Sequence, residues 1–142
     1  MHVIIQGIRA YQLAKDREGL YLYALTADHI DSDYNEFVVP MGFVTNGATI
    51  PRWLRKRIYP TGELFRAAVV HDYLYWSHDL VTRRQADKIF RRILCNDTDP
   101  ILRRILLPWP AWLALRITGK KYWPSKRNFA EQPYLDEDNY PW

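Results

Sequence analysis

Residues 61–76 read TGELFRAAVVHDYLYW, and this segment predicts a helix. Thr61 is a suitable N-cap, and Glu63 places a negative charge in the first turn, where it favours the helix dipole. The helix is expected to run through about Trp76. A histidine and an aspartate, His71 and Asp72, stand side by side within this apolar run. Burying both is costly unless each has a partner, so the pair requires an explanation.

The residues before this helix predict a small antiparallel β-sheet. The segment Leu20–Leu25 is rich in aromatic and aliphatic residues, and Asp16–Gly19 is a turn signal. This strand is therefore expected to form a hairpin with Tyr11–Leu13. A second strand, Glu36–Val39, precedes a proline that stops it. Glycines and prolines in the following twenty residues predict an irregular loop.

The residues after the first helix predict a second, amphipathic helix. Thr82 and Gln85 match a capping box, in which each side chain bonds the backbone N–H of the other residue. The helix that follows has one apolar stripe at a spacing of three and four residues. The stripe consists of Ala86, Ile89, Phe90, Ile93 and Leu94.

Further helices are expected toward the C-terminus. Asp99–Pro100 supplies an N-cap and a first-turn proline that start a third helix. We expect Pro108 and Pro110 to break it, and a last helix to cover about Trp112–Thr118, before a glycine.

The composition fits one globular domain. The chain has 142 residues, of which 48% are hydrophobic and 25% are charged, and this excludes a disordered protein. We expect a single α+β domain over residues 1–127, with a small antiparallel sheet followed by a three- or four-helix region. Residues 128–142 are expected to form an acidic aromatic tail. Cys95 is the single cysteine, so an internal disulfide is impossible.

Charge is distributed unevenly along the chain. Residues 1–50 carry 3 basic and 6 acidic side chains, residues 51–127 carry 17 and 6, and residues 128–142 carry 0 and 4. Basic residues are interspersed with apolar residues, tryptophans among them, in Arg52–Arg57 and Arg103–Trp112. This pattern fits an anionic partner, either a lipid surface or nucleic acid. A solvated basic face, or internal pairing with the acidic tail, explains it equally well.

Two segments bear on where the chain is located. Met1–Gln6 has no basic stretch followed by a long apolar one, so we expect no signal peptide. The longest apolar run, Ile105–Leu115, is about half the ~20 residues that span a bilayer. We therefore expect no transmembrane segment and interpret this run as core or interfacial.

Helical spacing suggests how the polar pair is used. His71 and Tyr75 share a face as an i, i+4 pair, whereas Asp72 is rotated by about 100°. Asp87 is an acid on the next helix, and antiparallel packing places it opposite His71. There it can accept a hydrogen bond from a ring nitrogen and orient the imidazole as a general base. A buried polar network that only fixes helix packing is the alternative.

The irregular loop before the first helix carries oxygen donors and glycines. A hard cation such as calcium binds carboxylates, carbonyls and other oxygen ligands. We expect Thr45, Asn46 and Gly47 to contribute to such a site beside Asp72, although an Asn-Gly pair is also a common turn. A zinc site that adds His78 to the His-Asp pair is another interpretation.

Three ordered motifs carry a family resemblance. They are Pro40-x-Gly42-Phe43-x-Thr45-Asn46-x-Ala48-Thr49-Ile50-Pro51, His71-Asp72-Tyr73-Leu74-Tyr75 and Ala86-Asp87-x-x-Phe90. Together they resemble the domain of unknown function 1353 family of tailed bacteriophages, prophages and bacteria. The resemblance covers roughly residues 36–95 and implies a phage-associated protein, in the host cytoplasm or the virion. Asn46 stands where the family usually has Asp, and Thr49 where Ser is more common.

A second resemblance implies a mechanism. A glycine-containing loop, then His-Asp-x-x-Tyr, then an Asp just before an aromatic residue is similar to the secreted phospholipase A₂ pattern. It implies that His71 is the base, Asp72 a calcium ligand, Asp87 the orienting acid and Tyr75 a partner of Asp87. Calcium in that family polarises the ester carbonyl and stabilises the oxyanion. The paired cysteines and closely spaced glycines of that family are missing here.

Two functions follow as expectations. The first is a phage-associated hydrolase, a calcium-dependent ester or phospholipid hydrolase that uses the His-Asp site. The second is a non-enzymatic phage protein, either a virion or tail component or a binder of a host factor, in which the same residues are structural.

Overall fold

The computed structural model describes residues 1–15, 19–46, 64–77, 80–97, 108–125, 135, 138 and 140–142. Within these residues, strands at the N-terminal side are followed by helices, which is the α+β arrangement that the sequence predicts. The strands are β1 (His2–Ile5), β2 (Ile8–Lys15), β3 (Tyr21–Leu25), β4 (His29–Ile30), β5 (Val38–Val39) and β6 (Val44–Thr45). The helices are α1 (Phe65–Trp76), α2 (Arg83–Asp97) and α3 (Pro108–Ser125).

Four strands form an antiparallel sheet in the order β1-β2-β3-β6. The predicted hairpin is present as β2 and β3, with Ala10 opposite Leu25. Sequence patterning misses β1, which joins β2 through a tight turn at Gln6 and Gly7. These two residues have φ values of 50° and 78°, and a turn with two positive φ values matches the twist of the strands that flank it.

Three strands of two residues each, β4, β5 and β6, follow the hairpin in the sequence. The expected strand before Pro40 is present as β5, which pairs with β4 in a separate two-stranded sheet. Part of the predicted irregular loop is instead regular, because β6 pairs Thr45 with Tyr23 of β3. This pairing fixes Thr45 at the edge of the four-stranded sheet.

Helix α1 is packed between the sheet and the other two helices. Phe65 and Val69 belong to a cluster with buried sheet residues such as Ile8. Leu74 and its neighbours on the opposite side belong to a second cluster, formed with α2 and α3. A helix with apolar neighbours on both sides has few positions for polar residues, so any polar side chain within it must find a partner inside the protein.

The ends of α1 differ in how well the sequence predicts them. The helix ends at Trp76, as expected, but it begins at Phe65, later than predicted. Thr61, the expected N-cap, and Glu63, the expected first-turn acid, lie outside the described residues. The Oε1 atom of Gln6, from the β1–β2 turn, accepts the backbone N–H of Arg66 at 2.6 Å. The hairpin turn therefore satisfies one of the first-turn donors of α1.

Helix α2 follows its predicted pattern closely. The N–H of Gln85 donates to Oγ1 of Thr82 at 3.3 Å, and the N–H of Thr82 donates to Oε1 of Gln85 at 2.8 Å. This confirms the capping box. All five residues of the predicted apolar stripe are buried.

The helix expected to start at Asp99–Pro100 lies outside the described residues. The last predicted helix is present as α3, but its bounds differ from the prediction. It begins at Pro108, so Pro108 and Pro110 stand in its first turn, where a missing N–H costs no intrahelical hydrogen bond. Gly119 does not end the helix, which continues to Ser125. No helix among the described residues is both long enough and apolar enough to cross a bilayer.

The C-terminal residues that the structure describes pack on the sheet side. The N–H of Leu135 donates to the carbonyl of Gly42 at 3.0 Å. The rings of Tyr140 and Trp142 are stacked with centroids 4.7 Å apart, and Trp142 also contacts Tyr11 of β2 at 5.8 Å. The end of the chain is therefore docked on the sheet in this structure.

Candidate active site

The predicted contact between His71 and Asp87 is present. Nε2 of His71 lies 2.8 Å from Oδ1 of Asp87, and both side chains have no exposed surface. Helix α1 supplies the histidine and α2 the aspartate, so this hydrogen bond joins two helices in the core. An ionised carboxylate can only accept, so Nε2 carries the proton of this bond when Asp87 is charged.

Asp87 is the centre of a larger network. Oη of Tyr75 donates to its Oδ1 at 2.6 Å, as predicted, and Nη1 of Arg116 donates to Oδ2 at 2.8 Å. Arg83 adds a longer ion pair, with Nε 3.9 Å from Oδ2. Burial alone would raise the pKa of Asp87, but the hydrogen bonds and charges of these partners and of His71 outweigh it and hold the pKa below its usual value.

Tyr75 and Gly119 set how closely α3 approaches α1. A Cβ atom built on Gly119 would lie 2.5 Å from Oη of Tyr75, so only glycine leaves room for the hydroxyl. Burial and the adjacent Asp87 raise the pKa of Tyr75, so its hydroxyl remains a donor. Arg83 donates to the carbonyls of Leu115 and Arg116 at 3.1 and 2.6 Å, which fixes α3 against α2.

Asp72 points away from this network, toward the sheet. Its Oδ2 accepts a hydrogen bond from Oγ1 of Thr45 at 2.6 Å. Thr45 is buried, whereas Asp72 and Asn46 are partly buried. The structure therefore brings Asp72 to the loop that was predicted to share a cation with it, and one helix presents His71 and Asp72 in different directions.

The described residues supply only part of a calcium site. Of the residues predicted for this site, Asp72 carries a carboxylate, Thr45 a hydroxyl and Asn46 an amide oxygen, whereas calcium takes 6–8 oxygen ligands. Gly47 and His78 lie outside the described residues. Among the residues that are described, His, Cys, Asp and Glu form no group of three or more that could hold a metal ion. This donor set alone does not complete a calcium or a zinc site.

A family model described as "Protein of unknown function (DUF1353)" matches residues 23–114, well over half of the chain. The chain belongs to the DUF1353 family. No match is found among curated proteins or among solved structures. The DUF1353 match includes His71, Asp72, Tyr75 and Asp87, and it ends just before Arg116, which completes the network around Asp87.

A second polar cluster of this DUF1353 protein, centred on Arg66, is not predicted from the sequence. All five N–H groups of the guanidinium are used: they donate to Asp31, Ser32, Asp33 and Asp97 at 2.8–3.1 Å. Burial alone would lower the pKa of Arg66, but these carboxylates outweigh it and raise it. The sequence does contain a signal for this cluster, because Arg66 stands in the first turn of an apolar helix and a buried arginine there needs acidic partners from elsewhere in the chain.

The Arg66 cluster is distinct from the His71 site. It joins the loop after β4, the start of α1 and the end of α2. Because every donor of the guanidinium is satisfied by the protein, the cluster is well suited to holding these three segments together.

Proposed function

We propose that this DUF1353 protein is a hydrolase in which His71 is the general base and Asp87 orients it. The observation that supports this most directly is the 2.8 Å contact between Nε2 and a buried, ionised carboxylate. Such a partner fixes the ring orientation and the tautomer, and it stabilises the imidazolium that forms when the base takes a proton.

The proposed ester hydrolysis accounts for each proton that is transferred. Nδ1 of His71 takes a proton from water while the water oxygen bonds the ester carbonyl carbon. The tetrahedral intermediate then collapses, the bond to the alkoxide leaving group breaks, and the proton on Nδ1 passes to that alkoxide. Asp87 stays ionised throughout, because Tyr75 and Arg116 donate to it in both states of the imidazole.

Access to His71 is part of this proposal. The imidazole has no exposed surface, so an ester and a water molecule can reach Nδ1 only when the packing around it opens locally. Local opening of this kind is common at sites that bind substrate, and we expect it to limit the turnover rate.

We further propose that calcium is the cofactor, with Asp72, Thr45, Asn46 and Gly47 among its ligands. Bound calcium would stabilise negative charge on an ester oxygen. The 2.6 Å contact between Thr45 and Asp72 supports this by placing two oxygen donors together. Calcium should raise the melting temperature of the wild type, as any ligand of the folded state does. It should not raise that of Asp72→Asn, and an equal shift in both proteins would refute the assignment.

Turnover of esters tests the hydrolase proposal. The wild type should hydrolyse a short-chain nitrophenyl ester or a phospholipid in mixed micelles, with calcium present. His71→Gln should lose this activity, and Asp87→Asn should lose most of it, about 10²-fold or more. His29→Gln is the matched control, because His29 is also largely buried but lies beside the Arg66 cluster.

Circular dichroism and thermal melts would show that each variant is folded under the assay conditions. No activity in the folded wild type, or equal activity in His71→Gln, would contradict the proposal.

The alternative is a non-enzymatic phage protein, a virion or tail component or a binder of a host factor. The complete burial of His71 and Asp87 favours it, because four side chains around one carboxylate also suit a purely structural role. The phage association rests on the family resemblance, and with it we propose a location in the host cytoplasm or in the particle. Under this alternative, His71→Gln lowers stability and changes no rate, and the protein co-purifies with phage particles.

A further inference from the structure

Helix α3 exposes an apolar stripe. Trp109, Leu113 and Ile117 follow one another at a spacing of four residues, and they are 53%, 54% and 71% exposed. The opposite side of the same helix is buried, with Ala111 and Leu115 in the core. Three large apolar side chains aligned on one exposed helix face are characteristic of an interaction surface rather than of scattered surface residues.

A row of cations lies beside this stripe. The guanidinium of Arg91 in α2 stacks over Trp109, with its carbon 4.3 Å from the ring centroid, and it lies 5.6 Å from the ring of Trp112. Arg84 and Lys88 share the face of Arg91, since the three are related by i, i+4 and i+7. Both are exposed.

The two rows run side by side because α2 and α3 are antiparallel. Arg83, at the start of α2, contacts the carbonyls of Leu115 and Arg116, near the middle of α3. Arg91, further along α2, contacts Trp109 at the start of α3. We call the surface made by Arg84, Lys88, Arg91, Trp109, Leu113 and Ile117 the α2–α3 face.

We propose that the α2–α3 face binds the surface of an anionic lipid bilayer. A tryptophan and aliphatic side chains would enter the interface between headgroups and acyl chains, while the cations contact lipid phosphates. This proposal goes beyond the hydrolase assignment and does not depend on it, since it concerns a different surface.

Charge and side-chain type favour a bilayer over other occupants. Leu113 and Ile117 cannot stack on nucleic-acid bases, and they gain most from an apolar medium. A second copy of the chain would bring another row of cations against Arg84 and Lys88, and like charges oppose that association. An anionic bilayer complements both the apolar stripe and the cations.

Vesicle co-sedimentation tests the proposal. The wild type should pellet with vesicles of phosphatidylcholine and phosphatidylglycerol but not with phosphatidylcholine alone, and added salt should weaken the binding. The double variant Leu113→Ser, Ile117→Ser should lose binding. Its matched control is Ile4→Ser, Ile30→Ser, because these residues are similarly exposed, at 72% and 61%, on the sheet side.

A charge variant provides an independent test. Arg84→Gln, Lys88→Gln removes two cations from the face, and at about 1 kcal/mol for each cation near an anionic surface the affinity should fall roughly 30-fold. Arg9→Gln, Lys15→Gln removes two exposed cations from the sheet and should leave binding nearly unchanged.

Five results would overturn the assignment. The first is that the folded wild type does not bind vesicles. The second is equal binding with and without phosphatidylglycerol, and the third is a loss of binding in the sheet controls that matches the loss in the face variants. The fourth is a dimer, seen by light scattering, that dissociates on substitution of Leu113 and Ile117, because it would identify a second copy as the occupant. Binding to DNA that survives this substitution, without binding to vesicles, would identify nucleic acid and equally refute the proposal.

Discussion

Replacing Gly119 with alanine should destabilise the protein, against the usual effect of this change in a helix. An interior glycine is about 0.5–1 kcal/mol less favourable than alanine, so Gly→Ala normally stabilises a helix. Here the new Cβ would lie 2.5 Å from Oη of Tyr75, a distance that real Cβ contacts do not reach. The tyrosine hydroxyl must therefore move.

The size of the effect follows from what the hydroxyl does. Oη of Tyr75 donates to the ionised carboxylate of Asp87 at 2.6 Å. A hydrogen bond to a charged group contributes about 1.5–3 kcal/mol. Subtracting the gain in helix propensity leaves a net loss of about 1–2 kcal/mol. In a chain of this size the melting temperature should fall by roughly 3–8 °C.

A double-mutant cycle isolates this cause. Tyr75→Phe removes the hydroxyl, so Gly119→Ala should be neutral or stabilising in that background. The free energy of unfolding of the wild type, both single variants and the double variant would be measured in urea, with fluorescence as the readout. A Gly119→Ala protein more stable than the wild type, or an equal loss in both backgrounds, would refute the packing of α3 on Tyr75.

Three further predictions concern stability. Arg66→Ala should cost about 3–5 kcal/mol in urea unfolding, because it leaves three carboxylates without their shared cation, whereas the exposed Arg84→Ala should change stability by less than about 0.5 kcal/mol. Burial alone would raise the pKa values of Asp31 and Asp87, but their hydrogen-bond partners and nearby cations hold both below normal. On acidification, the unfolded chain therefore protonates these two carboxylates at a higher pH than the folded protein does. The stability that they contribute is present above about pH 4 and should fall as the pH drops through their folded-state pKa values. Urea unfolding at several acidic pH values would measure this loss. Gly7→Ala should cost about 1 kcal/mol, because its φ of 78° strains any side chain, and thermal melts would detect it.

Local patterns in the sequence predict the elements whose signals are also local. The capping box of Thr82 and Gln85 and the apolar stripe after it are sufficient to define α2. The β2–β3 hairpin follows from a strand pattern and a turn signal. In α3 the local signal is ambiguous, because a proline that can end one helix can equally stand in the first turn of the next. Only packing of the helix decides between these two outcomes.

The candidate site also combines contacts that local sequence signals predict with contacts that only the packing of the helices decides. The cost of burying a histidine and an acid in an apolar helix predicts that His71 needs a partner, and helix order identifies Asp87. Arg116 contacts Asp87 from a helix 29 residues further along the chain, and no sequence spacing indicates this. Gly119 likewise resembles a helix end until the position of the Tyr75 hydroxyl is known.

The charge state of His71 tests the central claim most directly. Two-dimensional ¹H–¹⁵N NMR of protein labelled at histidine nitrogen reports which ring nitrogens carry protons, and His71→Gln assigns the signals. We predict a neutral ring at mildly alkaline pH, with the proton on Nε2 toward Asp87, and reversible protonation of Nδ1 on acidification while the protein stays folded. A ring that keeps both protons at alkaline pH, or one whose Nδ1 never titrates in the folded state, would contradict a role as general base.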